Sequence, residues 1–534
     1  LTVAQWFAKH PQAKKRLDKW VGDRRSGEES DGIRGLLAHL QNSHAFPFQD
    51  HTSLWKFAKR EHGTIESPKK APAVHTHTRT DTELRKIEKG DTFFVTSAVS
   101  NCYADPGFLQ AIERWREELG AKVIVNGVRY QNPTRPNEEV ADEWYDPALA
   151  RYMLNQEIRP HPKLSILPTK VQATASNPLP PRIAGLTQGR HTILGHPQLA
   201  MKTVPTLDGE AKVMWSTGAI TRPQYSETLA GTMGEFHHGL AGVIVEVRDD
   251  DVLMREVTWD GNGFTDCEWD FRADGTYEAP APLALVMGDI HDPLVSKEVM
   301  EATFGEGGIY DCMKHERIVL HDLADFRNVN PHDWGKLTHA ALAQSGRNSV
   351  QDDIDSTAQW INNLPTDPDL VVCRSNHDEF LTRWLQDGER NVTPVNRKLY
   401  HELSFQILDE FNRTGKFPVT LELALRGKVR EGVRFLNFDE SFRLAGVEMG
   451  QHGHLGPNGA RGSILNYARM AVRTIIGHTH SPGIWQGCYQ VAHSGVQDHG
   501  YNRGPSSWWN AHVTLHANGQ RQMHLITVKG RWRG

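Results

Sequence analysis

"LALVMGDIHD", residues 283–292, runs from an apolar stretch straight into Asp289-Ile290-His291. A short apolar run stopped by glycine reads as a buried strand. Four later segments repeat the pattern. "RIVLHDLADF" (317–326) ends on Asp322, and "LVVCRSNHDEF" (370–380) on Asn376 and His377. "GVEMGQHGH" (446–454) ends on His452 and His454, and "TIIGHTHSP" (474–482) on His478 and His480. Helical stretches such as "HDWGKLTHAALAQ" and "HDEFLTRWLQDG" separate them, so the region reads as α/β. Ligands of such sheets bind beyond the carboxyl ends of the strands, where these polar residues are expected to converge.

Asp289, His291, Asp322, Asn376, His452, His478 and His480 make an oxygen and nitrogen donor set without a thiolate. Such a set suits Mn²⁺, Fe²⁺ or Zn²⁺; Ca²⁺ or Mg²⁺ would favour fewer imidazoles. It is too large for one tetrahedral zinc and about right for two ions sharing a carboxylate. His478-Thr479-His480 read as an extended segment sends both histidines to one face. The triplet alone proves nothing, because His75-Thr76-His77 repeats it within a Pro-, Lys- and Thr-rich stretch that reads as a linker.

The bulk numbers narrow the classes. The 534 residues allow two to four domains. Mean hydropathy is −0.54, and no apolar run approaches the roughly 20 residues of a membrane span. The N-terminus is amphipathic and then basic, opposite in order to a secretory signal. Five scattered cysteines without C-x-x-C spacing argue against a disulfide framework and for a cytoplasmic compartment. Net charge is −5, but residues 1–70 carry +5 and the rest −10. A basic module on an acidic body is one pattern of a nucleic-acid tether.

Along the chain, 1–63 read as a helical, helix-turn-helix-like module. Its last helix carries Lys56, Lys59 and Arg60, either a DNA contact or a solvated basic face. A linker is expected at 64–84. "DTFFVTSAV", "DPGFLQAIERWREELG" and "AKVIVNGV" read as β-α-β, opening a smaller α/β accessory domain over 85–280. "EFHHG" (235–239) and "STGAITR" (216–222) read as structural, since no catalytic spacing accompanies them.

The five strand-end motifs, in this order, resemble those of the calcineurin-like metallophosphoesterases, over roughly 281–530. The resemblance implies a four-layer metallophosphoesterase sandwich over 281–534. It implies Asp289, His291 and His480 as ligands of one ion, Asn376, His452 and His478 as ligands of the other, and Asp322 as the bridge. It favours His452 over His454. His377 matches the family's general acid, with Asp378 expected to orient it. The two ions, Mn²⁺ first and Fe, Zn or Mg as alternatives, would acidify a water for in-line attack on phosphorus. His321 and Ser375 stand where the family usually has glycine. "GPNGARGS" (456–463) offers either a phosphate contact through Arg461 or a plain turn.

The ligand pattern is most similar to that of SbcD-type DNA nucleases. The layout also resembles phage early host-DNA-degrading, first-step-transfer proteins, through "FFVTSAVSN" (93–101), "GAKVIVNGVRYQNP" (120–133), "HDLADFRN" (321–328) and "GPNGARG" (456–462). DNA is therefore the expected partner, acted on by a nuclease in the host cytoplasm, with a homo-oligomer or partner protein also possible. The alternatives are a phosphomonoesterase acting on phosphoprotein or nucleotide, and a DNA-binding scaffold with an inert site. A nuclease should prefer polymer and lose activity steeply with salt; a monoesterase should not.

Overall fold

The structure, a computed structural model, describes residues 2–26, 33–48, 51–62, 90–130, 144–154, 156–168, 171–207, 210–500 and 502–534. Its described residues divide into two compact units, 2–62 and 90–534. The expected linker and its His75-Thr76-His77 lie outside the described residues.

The first unit is helical. Thr2 caps helix Val3–Lys9 by accepting the Gln5 N–H, while the Gln5 side chain accepts the Thr2 N–H in return. Pro11 opens helix Pro11–Ser26, as suits a residue lacking an N–H. Helices Ile33–His44 and His51–His62 follow. Their apolar faces close over Trp6, Phe7, Leu17, Trp20, Leu36, Leu40, Leu54 and Phe57, with Phe7 stacked on Phe57 at 5.1 Å. Lys56, Lys59 and Arg60 stay exposed on the last helix.

The second unit is α/β and built on sheets. A six-stranded sheet runs in the order Arg434–Phe435, Asp369–Val372, Arg317–Leu320, Ala284–Val286, Asn510–Leu515, Arg521–Ile526. Its first four strands are parallel and the last two antiparallel. Alternation along these strands divides their side chains between two cores. Leu285, Ile318 and Leu370 pack with the helices Lys297–Phe304, Val350–Asn362 and Asp378–Gln386. Val286, Val319 and Val371 face a second core that includes Ile475, Trp215 and Phe93.

That second core shows that the division expected at residue 280 is not drawn in the sheets. A ten-stranded sheet joins strands from 158–218 to strands from 443–490, meeting where Ile484 pairs with Met201. A five-stranded sheet around Thr92–Val99 shares the core through Phe93 and Val95. The Glu256 carboxylate accepts the Met523 N–H at 2.9 Å. The accessory segment and the C-terminal segment therefore form one unit. Periodicity reports that a strand exists and which face it buries, but not its partner.

The second unit holds all five cysteines, and they are free. Among the described residues, no helix is long and apolar enough to cross a membrane. In "EFHHG" the His238 ring is held between the Tyr225 hydroxyl and the Thr221 carbonyl, at 2.7 and 2.6 Å.

Candidate metal centre

The parallel strands of the six-stranded sheet end at one place, and backbone hydrogen bonds stitch their following loops together. Ile290, His291 and Asp292 donate their N–H groups to the carbonyls of His321, Asp322 and Leu323. Asp289 is tied on its other side to Ala492 and Ser494. His291 and Asp322 both take positive φ, 53° and 43°. This uncommon backbone for non-glycine residues turns their side chains inward, and both are buried.

The side chains meet in two halves around Asp322. On one side, the His291 Nε2 stands 3.4 Å from Asp322 Oδ2 and 2.9 Å from the His480 Nε2, and His480 is 3.3 Å from Asp289 Oδ2. The ligand atoms of Asp289, His291, Asp322 and His480 lie within 4.8 Å of one another, close enough to hold a metal ion. On the other side, the His452 Nε2 is 3.2 Å from the same Asp322 oxygen. The Asn376 Oδ1 sits 3.0 Å from both His452 Nε2 and His478 Nδ1. Asp322 Oδ2 thus lies between imidazoles of both halves. His452 occupies this position; His454 lies farther out, its ring 5.4 Å from that of His452.

His478 and His480 do reach different halves, but not by the expected route. Strand Arg473–Ile476 ends before them, and their φ angles are 82° and 57°. The segment is a left-handed loop rather than an extended one. Its tight approach depends on Gly477, where an added Cβ would sit 2.3 Å from Asp289 Oδ1 and 3.2 Å from His452 Nδ1. Gly477→Ala is therefore expected to displace Asp289 and weaken divalent-cation binding at least about tenfold, measured by isothermal titration calorimetry. Unchanged affinity would refute that packing argument.

The donor set fits a divalent cation. Asp289 Oδ1 is buried without a hydrogen-bond partner, costly unless something else satisfies it. Burial, added to by the charge of Asp322, pushes Asp289 above the usual carboxylate range. Burial opposes the charge of Asp322 too, but His452, His377 and His291 hold it well below that range. Burial also drives His480 and His478 toward the neutral form, the form a metal requires.

His377 lies beside this cluster, at the N-terminal cap of helix Asp378–Gln386. Its backbone N–H donates to Asp322 Oδ1 at 3.2 Å. Its ring is oriented by Asp325, not by Asp378. The Nδ1–H donates to the Asp325 carbonyl at 2.9 Å and lies 3.2 Å from its carboxylate. The Asp378 carboxylate instead accepts the Ser375 hydroxyl at 2.6 Å and the Ala324 N–H at 3.3 Å, bracing the loop that carries Asn376. Burial opposes an imidazolium at His377, but Asp322 and Asp325 outweigh it and raise the group to about 9. Asp325 went unread in "HDLADF", where an aspartate three residues after Asp322 was the available signal.

His321, where a glycine was expected, is buried against the His452 ring at 5.6 Å. Also unread was a layer behind His480: Trp508 lies edge-on to its ring at 4.2 Å, and His493 stacks on it at 5.2 Å. His377 and His478 line an open cavity of about 350 Å³ with Asn330, His332 and Arg383. Arg461 is exposed on the turn beside it. The helix after that turn is only Ile464–Tyr467, too short for a strong helix-terminus phosphate site.

No family model matches the chain. Protein A1 of Escherichia phage T5 is 31% identical to it over 466 residues, 83% of each chain. The chain belongs to the family of that phage protein.

Proposed function

We propose that this member of the protein A1 family is a metal-dependent phosphodiesterase of the calcineurin-like metallophosphoesterase type, and that it acts as a DNA nuclease in the host cytoplasm. The observation that carries the reading is the Asp322 carboxylate set between two groups of donors, one buried and one part-buried. Asp289, His291 and His480 would hold one ion and Asn376, His452 and His478 a second, with Asp322 common to both; the mixed oxygen and imidazole set admits Mn²⁺, Fe²⁺ or Zn²⁺. Bound there, divalent ions supply Lewis acidity toward phosphate oxygens and lower the pKa of water.

The chain's own residues do the rest. With Nδ1 engaged by Asp325, His377 keeps Nε2 for the cavity it lines and holds the proton that the leaving oxygen needs. Asp378 fixes the loop that presents Asn376 and His377. Arg383 stands exposed at the cavity rim, and Arg461 on the neighbouring turn, where they can pair with flanking phosphates. The exposed Lys56, Lys59 and Arg60 of the helical unit offer a second, sequence-independent hold on DNA. The open shape of the cavity favours a polymer over a small monoester.

The test incubates the protein with linear and circular double-stranded DNA and with single-stranded DNA, in Mn²⁺, Mg²⁺ or EDTA. Degradation in Mn²⁺ is expected, abolished by EDTA and by Asp322→Ala or His377→Ala, and falling steeply with salt. Hydrolysis of p-nitrophenyl phosphate alone, with every DNA left intact, would sink the nuclease reading and favour a phosphomonoesterase.

A further inference from the structure

We infer that a second cavity, beside the proposed ion site, is a subsite for one unpaired nucleobase of the nucleic acid being cut; this inference rests on the phosphodiesterase reading. The cavity measures about 480 Å³, within the roughly 300–1,000 Å³ of small-molecule sites. Two loops build both it and the ion site. From one, Asn376 faces the donors while Arg374 lines the cavity; from the other, His452 faces the donors and lines the cavity together with His454. A phosphate held at the donors therefore has its neighbouring nucleoside at the cavity mouth.

The lining suits a flat aromatic guest. Phe438 is 45% exposed and Met470 42% exposed, both facing the cavity with Leu455 and Tyr467. The Arg374 guanidinium lies over the Phe438 ring, 4.8 Å from its centroid. It is fixed there by Glu379 at 2.9 Å. Arg374 thereby holds the ring in place as a platform. An aromatic platform beside a cation is how proteins grip single strands without reading sequence. A base inside a duplex has both faces covered by its stacked neighbours, so the subsite selects single-stranded or frayed ends.

The test uses the full chain and a single-stranded, phosphorothioate-linked oligonucleotide carrying one 2-aminopurine, moved position by position. Binding in Mn²⁺ is expected to quench its fluorescence at one position relative to the strand's end. Phe438→Ala should abolish that quenching and weaken binding about tenfold, as loss of one stacked base does. Phe438→Tyr should preserve both. The same preparation is assayed on bis(p-nitrophenyl) phosphate. If it hydrolyses the diester but quenches at no position, or if Phe438→Ala quenches like the wild type, the subsite is overturned and the phosphodiesterase reading stands. If the diester is not hydrolysed in any metal, the underlying reading falls and the subsite with it.

Discussion

Replacing Asp322 by asparagine is expected to lower metal-dependent phosphodiester hydrolysis on the order of 10³-fold, the upper range for removing one preorganised electrostatic group. The substitution keeps shape and removes only charge. Its Oδ2 stands 3.4 Å from the His291 Nε2 and 3.2 Å from the His452 Nε2, so both halves lose their shared anion together. Asn376 already contributes a neutral amide, which leaves Asp289 as the only other carboxylate among the seven donors. Metal content should fall with activity. Bis(p-nitrophenyl) phosphate turnover, with bound Mn²⁺ counted by elemental analysis, checks both. Activity within tenfold of wild type would show that Asp322 does not join the two halves.

The second large effect separates Asp325 from Asp378. Asp325→Asn is expected to lower kcat about 10- to 100-fold, as loss of an orienting partner does. It should also move the alkaline limb of the pH profile to lower pH. The sign follows from the charges. Burial alone would depress the His377 imidazolium, and Asp322 and Asp325 together raise it to about 9. Removing one anion lowers that pKa, so the proton needed by the leaving group is lost at a lower pH. Asp378→Asn acts differently, because its carboxylate braces Ser375 and Ala324 rather than the imidazole. It should reduce kcat by loosening the loop, with the limb in place. A limb that shifts with Asp378→Asn and not with Asp325→Asn would reverse the assignment.

Those two aspartates also show what the sequence made legible. Apolar runs ending in polar residues marked the strands Ala284–Val286, Arg317–Leu320, Asp369–Val372 and Arg473–Ile476, and with them six of the seven donors; His452 follows the short strand Val447–Glu448. Strand periodicity records burial on two faces, so that much is written locally. Asp325 was hidden because it reaches the site through a turn with positive φ at both Asp322 and Phe326, a geometry without a periodic signature. The histidine loop, with φ of 82° at His478 and 57° at His480, leaves no periodic mark either. The pairing of Ile484 with Met201 was hidden because no local signal names a distant partner. Two-residue strands such as Arg434–Phe435 and Arg443–Leu444 are too short for any pattern.

That long-range pairing bears on how the molecule is made. Strand His196–Val204 leaves the ribosome about 280 residues before Gly483–Trp485, a delay on the order of tens of seconds at roughly 5–20 residues per second. Until then one edge of the growing sheet is open to neighbouring nascent chains, and the donors His478 and His480 have not yet been synthesised. The candidate ion cluster is therefore completed only once residues 478 and 480 have been made, and a polypeptide halted before residue 478 would carry Asp289, His291, Asp322, Asn376 and His452 without the last two donors.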